Sequence, residues 1–245
     1  MINVLMRSAK YAKNMGLIRG IGLSLHRYLS KLLNPDVTFS WGSLGEDILL
    51  WWYLTEVLGI RKTGFYVDVG CNDPINHSNT WRLYQLGWSG LCMDADETVV
   101  RRFGRVRPRD KAICQLVSDV EQTMDFHVLE GSLVSSVDRD HIAEWSKRNR
   151  TVDIRRLHAR TLDSILAEHD VPHSFELLKI DVEGHDAAVL RSIDLNKYRP
   201  LIILIEIHGE TVESIRNNEI CKRLMSFGYS MVSLAGYNGI FIKKR

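Results

Sequence analysis

Four carboxylates in this chain each lie in or just after a short apolar run, and they are the residues best placed to do chemistry. Asp68 lies in Phe65-Tyr66-Val67-Asp68-Val69-Gly70, and Asp94 closes Gly90-Leu91-Cys92-Met93-Asp94. Asp181 closes Leu178-Lys179-Ile180-Asp181, and Glu206 follows Leu201-Ile202-Ile203-Leu204-Ile205. In an open α/β sheet, ligands bind beyond the carboxyl ends of the strands. Four acids at or just past such ends predict one common site. The first two carry a nucleoside pattern: Gly70 lets a ligand approach the backbone, and Asp94, one strand later, can accept hydrogen bonds from ribose hydroxyls. The loop is not a dinucleotide fingerprint, because Asn72 and Pro74 stand where further glycines would be needed. It is poorly shaped for a pyrophosphate and suits a nucleoside without phosphate, of which S-adenosylmethionine is the commonest cofactor. Loop capping is the plainer alternative for Asp68 and Asp94.

The second pair belongs where a fourth strand turns into its helix and where a fifth strand ends. Methyl transfer to oxygen needs an aligned hydroxyl and a base for its proton. Asp181, Glu183, His185 and His208 are the candidates within reach. An N-cap cluster favouring the helix dipole is the alternative for Glu183 and His185. Asp181, Glu206 and His208 could instead hold a divalent cation through oxygen and imidazole ligands. Gly45-Glu46-Asp47 is either an ordinary helix start or a cap over the cofactor. Trp41, Trp51, Trp52 and Trp88 read as core, and the remaining histidines as surface.

The elements that must position these side chains alternate regularly. Strands are predicted near 65–69, 90–94, 111–117, 175–181 and 200–206, with helices near 78–86, 96–104, 161–169 and 184–192. Such alternation implies a parallel sheet with helices on both faces, and continuous apolar runs fit strands buried on both sides. The end differs: apolar runs flank Gly236-Tyr237-Asn238-Gly239, and Asn-Gly is a strong hairpin signal. A parallel sheet finishing in an antiparallel hairpin predicts a Rossmann-like class I methyltransferase fold rather than a dehydrogenase. The stretch 121–158, with Ser132, Ser135, Ser136, His141, Trp145 and a basic cluster from Lys147 to Arg156, reads as an irregular insertion over the mouth of the sheet. Upstream, residues 2–33 read as helix broken near Gly16 and Gly20-Gly22, and a second helix covers about 43–58. The predicted division is a basic helical arm, 1–38, and a methyltransferase domain, 39–245.

Bulk properties set limits. The 245 residues suffice for one α/β domain plus an arm, and 45% hydrophobic with 25% charged residues is ordinary for a globular protein. Residues 1–35 carry Arg7, Lys10, Lys13, Arg19, Arg27 and Lys31 and no acid. The arm is thus +6 and the remainder −4 within a net charge of +2. A net acidic core argues against nucleic acid. The basic, apolar-interleaved arm suits packing on the core or a second subunit, or peripheral contact with an anionic membrane. No run approaches the roughly 20 apolar residues of a membrane span. Cys71, Cys92, Cys114 and Cys221 show no metal-like pairing, and two lie in predicted buried strands, which suggests reduced thiols in a cytoplasmic protein.

Taken in order, Gly45-Glu46-Asp47, Phe65 to Pro74 with Ser78-Asn79-Thr80, Gly87-Trp88 with Gly90 through Asp94, Arg160-Thr161-Leu162-Asp163, and Leu178 to Gly184 followed by Glu206 resemble an FkbM-type methyltransferase. The resemblance covers about residues 43–206 and continues into the hairpin. It implies S-adenosylmethionine-dependent O-methylation of a hydroxyl on a sugar, glycan or macrolide. The catalytic candidates are then Asp181, Glu183, His185, Glu206 and His208. The cofactor candidates are Asp68, Gly70, Cys71, Asn72, Asn79, Thr80, Asp94, Ala95, Ser118, Asp119 and Asp181. Two departures stand out: Gly42-Ser43 replace a frequent Ser-Gln, and His185 occupies a position that is usually small, so it inherits no role. A catalytically idle fold serving as a binding module is the alternative function. A metal requirement and a homo-oligomer remain open from sequence.

Overall fold

The computed structural model describes residues 29–30, 34, 38–60, 62–129, 135–138 and 152–244. Apart from Leu29 and Ser30, the expected helix over 2–33 lies outside these residues, as do Ser132, His141, Trp145 and Lys147 of the insertion. The chain divides into two compact units, Met1–Ser40 and Trp41–Arg245; all that follows concerns the second.

Helix α1, Glu46–Trp52, begins only after Gly45 turns the chain at φ 90° and runs on as a single π-helical stretch over Tyr53–Val57. Then come β1 (Phe65–Val69), α2 (Trp81–Gln85), β2 (Ser89–Asp94), α3 (Glu97–Val106), β3 (Lys111–Cys114), β4 (Leu116–Val117), β5 (Thr123–Leu129), β6 (Ser135–Ser136) and β7 (Val152–Arg160). After them follow α4 (Leu162–Glu168), β8 (Ser174–Ile180), α5 (Asp186–Arg191), β9 (Arg199–Glu206), α6 (Val212–Asn217), α7 (Glu219–Ser226), β10 (Tyr229–Ala235) and β11 (Asn238–Lys243). Side-chain caps explain several helix starts. Asp96 accepts from the Thr98 amide, Thr161 from Ser164, Thr211 from Ser214 and Asn218 from Ile220, each satisfying an otherwise orphaned N–H.

The main sheet has seven strands in the order β3-β2-β1-β8-β9-β11-β10. Its first five are parallel, and β11 pairs antiparallel with both β9 and β10. This is the class I methyltransferase order. Consecutive residues on β1, β8 and β9 divide between two apolar layers. Val67, Leu178 and Ile203 pack with α4, α5 and α7, whereas Tyr66, Leu177 and Ile202 pack with α1, α2 and α3. The strand order reverses between β1 and β8, so a crevice opens at their carboxyl ends.

Five expectations are corrected. The third strand is not continuous over 111–117: β3 pairs with β2, but β4 leaves for a second sheet ordered β4-β7-β5-β6. The described residues within 121–158 are not irregular: β5 and β7 form a seven-pair antiparallel ladder from Thr123↔His158 to Leu129↔Val152. The terminal hairpin turns at Gly236-Tyr237, and Asn238 already pairs with Ala235. Gly236 takes φ 60°, the positive value a two-residue hairpin needs at its first position, so Asn-Gly is displaced into the strand. Trp52 is 50% exposed rather than core, and Cys114 is exposed because β3 is an edge strand.

Candidate active site

The site starts from the loop after β1. Gly70 has φ 73°, and a Cβ there would sit 1.9 Å from the Asp181 carbonyl oxygen. The loops after β1 and β8 therefore touch, which only glycine permits. The Gly70 and Cys71 amides both donate to the Met93 carbonyl, closing the same loop onto β2. Asp94 is tied in as well: its Oδ2 accepts from the Asn72 amide at 3.0 Å and its Oδ1 from the Asp96 amide at 2.9 Å. Burial pushes the Asp94 carboxyl up to about 6 although both amide bonds work against the shift.

Behind this loop lies a buried polar chain. Thr80 donates to Asp68 Oδ2 at 2.7 Å. Lys179 Nζ lies 3.4 Å from Asp68 Oδ1 and 3.6 Å from Asp181 Oδ2, and donates to the Gly70 carbonyl at 2.6 Å. Burial opposes the Lys179 charge, yet Asp181 and Asp68 outweigh it and hold the ammonium above its ordinary value. On the far side of Thr80 is Arg107, a side chain with no exposed surface.

The turn after β8 is strained. Glu183 takes φ 56° and Gly184 φ 93°. Asp186 makes the bend, accepting from Val182 at 3.0 Å and Gly184 at 3.2 Å, and Ser136 of β6 donates to the Glu183 carbonyl at 2.6 Å. Burial, reinforced by the charges of Asp181 and Glu206, pushes Glu183 up to about 8 and Asp186 up to about 7. His185 stands at the N-cap position of α5 without capping it; its Nε2 is 2.9 Å from Ser118 Oγ, and burial lowers its pKa. His208 is half-exposed, with Nε2 3.2 Å from Glu206 Oε2, and that hydrogen bond raises its pKa.

One open cleft gathers many of the predicted residues. Asp68, Gly70, Cys71, Asn72, Asn79, Asp94, Ala95, Asp181, Glu183 and His185 all line it. Thr80 and Ser118 are fully buried one layer back, and Asp119 pairs outward with Arg191 at 2.9 Å. Glu206 is not among the cleft-lining residues but stands next to Asp181, with His208 against it. For a cation, Asp181 and Glu206 meet Asp186 rather than His208: the three carboxylates each offer an oxygen within 4.8 Å of the others. The second sheet supplies an apolar wall: Leu116 and Val117 of β4 and Phe126 and Val128 of β5 line the cleft, with Val137 just past β6. Glu46 and Asp47 are buried and satisfied by the chain itself: Leu44 donates to Glu46, and Gly42 and Arg82 donate to Asp47.

Sequence reasoning passed over Lys179, Asp186, Arg107 and the second-sheet wall. The lysine had a signal, a cation inside an apolar run two residues before an acid. Asp186 had a weaker one, an acid four residues after Val182 where a helix begins.

The sequence profile described as the Methyltransferase FkbM domain matches residues 68–231. No curated protein matches the chain. Among solved structures it is similar to a TehB-like SAM-dependent methyltransferase from Corynebacterium glutamicum, at 11% identity over 90% of this chain and 96% of that one, with a TM-score of 0.40. It is also similar to the O-methyltransferase from Bacillus cereus in complex with SAH, at 14% identity over 89% and 88%, with a TM-score of 0.42. A third is the 1,6-didemethyltoxoflavin-N1-methyltransferase of Burkholderia thailandensis, at 11% identity over 89% and 84%, with a TM-score of 0.39.

Proposed function

The chain belongs to the FkbM methyltransferase family, and from that premise we propose that it transfers the methyl group of S-adenosylmethionine to a hydroxyl of a sugar, glycan or related natural product. The observation that carries this reading is the meeting, across the Gly70–Asp181 contact, of a nucleoside-type loop with a cluster of carboxylates of raised pKa. The cleft suits the cofactor. Asn79 Oδ1 is buried, lines the cleft and has no hydrogen-bond partner among the described residues, so it is free to accept from an ammonium group. Asp94 would take the ribose hydroxyls, the Gly70 to Asn72 backbone would face the methionine part, and Leu116, Phe126 and Val128 would cover the base.

Bound there, the cofactor supplies an electrophilic methyl on a sulfonium. The chain's task is to hold a hydroxyl in line with it and to accept the proton that the hydroxyl loses. Glu183, near 8, has the basicity for that step close to neutral pH. Asp181, fixed by Lys179, would orient the hydroxyl. Carboxylates beside His208 also suit the many hydroxyls of a carbohydrate.

Calorimetric titration with S-adenosylhomocysteine, S-adenosylmethionine and NAD tests the first half: the S-adenosyl compounds should bind and NAD should not. Transfer of a labelled methyl group to sugar nucleotides and glycans tests the second. In that assay Glu183→Gln should lower turnover at least about 10²-fold with cofactor affinity little changed. EDTA should leave turnover intact, because Lys179 already places positive charge beside Asp181. Loss with EDTA and recovery with Mg²⁺ would assign the Asp181, Asp186 and Glu206 cluster to a cation instead. Binding of NAD alone would overturn the reading, and cofactor binding without any transfer would leave a binding module.

A further inference from the structure

We propose that Arg107 is the positioning residue of the cofactor loop and, resting on the reading above, that it sets affinity for the S-adenosyl nucleoside without touching it. Arg107 sits at the C-cap of α3 with its side chain completely buried. A buried guanidinium is costly unless its donors are all used. Its nearest acid, Asp110, is 3.6 Å away, and that carboxylate also takes the Tyr66 hydroxyl at 2.7 Å and the Gly90 amide at 3.0 Å. Arg107 spends its hydrogen bonds elsewhere. Nε donates to the Pro74 carbonyl at 2.7 Å, Nη1 to Thr80 Oγ1 at 2.9 Å and Nη2 to Ser78 Oγ at 2.5 Å. All three acceptors belong to the single loop between β1 and α2, whose Asn72, Ser78 and Asn79 line the cleft.

A cation needed only for stability could be satisfied by its carboxylate. This one grips the middle and the far end of a loop with a planar fork, and its guanidinium is fixed over the rings of Phe103 at 4.8 Å and Trp81 at 5.2 Å. The grip is passed on. Thr80 accepts from Arg107 and donates to Asp68, Asp68 faces Lys179, and Lys179 holds the Gly70 carbonyl. Arg107 and Lys179 thus fix the loop from opposite sides through the one carboxylate of Asp68. A lysine at 107 would keep the charge but could not span Pro74, Ser78 and Thr80 together.

The test is titration of S-adenosylhomocysteine into the full-length protein and its variants, beside their thermal unfolding. Arg107→Lys should remain folded and lose about tenfold or more in affinity. Affinity in Arg107→Ala should be partly restored by methylguanidinium and not by methylammonium, a response that a general loss of stability would not give. Thr80→Val and Ser78→Ala remove the same contacts from the loop side and should each weaken binding while leaving the cation in place. These two decide the matter if the Arg107 variants do not fold. Affinity within twofold of wild type in folded Arg107→Lys, or in both loop variants, overturns the proposal. Failure of the wild-type protein to bind S-adenosylhomocysteine overturns the underlying cofactor reading instead.

Discussion

Asp94 is held by two main-chain amides and still lines the cleft, so replacing it should cost ligand affinity more than fold. We expect Asp94→Ala to weaken S-adenosylhomocysteine binding by about 1.5–3 kcal/mol, the scale for hydrogen bonds to a charged group. Unchanged affinity in calorimetry of a folded variant would remove Asp94 from the site. Residues of this kind were readable in the sequence because their position relative to a strand is local information. Asp68 lies in an apolar run, Asp94, Asp181 and Glu206 end or follow one, and the fold brings those ends together. Arg107 was not readable. Its partners Pro74, Ser78 and Thr80 lie about thirty residues earlier, and nothing around it in sequence marks it as buried. Asp186 is hard to read because His185 beside it is the more conspicuous titratable group, yet the aspartate is the one that binds the turn.

At the scale of elements, the contact between the loops after β1 and β8 carries the site. Gly70→Ala would place a methyl group against the Asp181 carbonyl at a positive φ. We expect it to destabilise the fold by more than about 2 kcal/mol, through both strain and collision, and to abolish S-adenosylhomocysteine binding. Urea unfolding measures the first and calorimetry the second; a variant as stable as wild type would show that the two loops part easily. The parallel strands were legible because both their faces are buried, which writes unbroken apolar runs. The second sheet was missed although Met124, Phe126 and Val128 alternate with Asp125 and His127, a period-two pattern. Charged and aromatic residues around it suggested a loop, but one face of that sheet covers the cleft and the other does not need to be apolar.

For the whole molecule, the pH response follows from carboxyls that burial makes harder to ionise. Glu183 near 8, Asp186 near 7 and Asp94 near 6 all lie above their ordinary values. Their contribution is complete below the unfolded range and is lost as pH rises through 6 to 8. The thermal midpoint should therefore fall from about pH 5 to about pH 9, and Glu183→Gln should flatten that fall. A midpoint indifferent to pH in this window would contradict the raised values. Among the described residues, no helix is long and apolar enough to cross a membrane. The +6 of residues 1–35 leads us to expect sedimentation with anionic vesicles that weakens as salt rises, and loss of it when Lys10, Lys13, Arg19 and Arg27 become Gln. No binding by the intact protein at low salt would end that idea.

The order of the main sheet also has a consequence in time. Strand β11 lies between β9 and β10 but is made after both. On the ribosome, the edge of β9 therefore emerges before its partner, leaving the backbone of Ile202 to Glu206 unpaired on that side until residues 238–242 arrive. An open apolar edge is a template for pairing with other chains. Until β11 pairs there, the nascent chain carries an open strand edge, and its yield will depend on how quickly that strand follows β10 and on what shields the edge meanwhile.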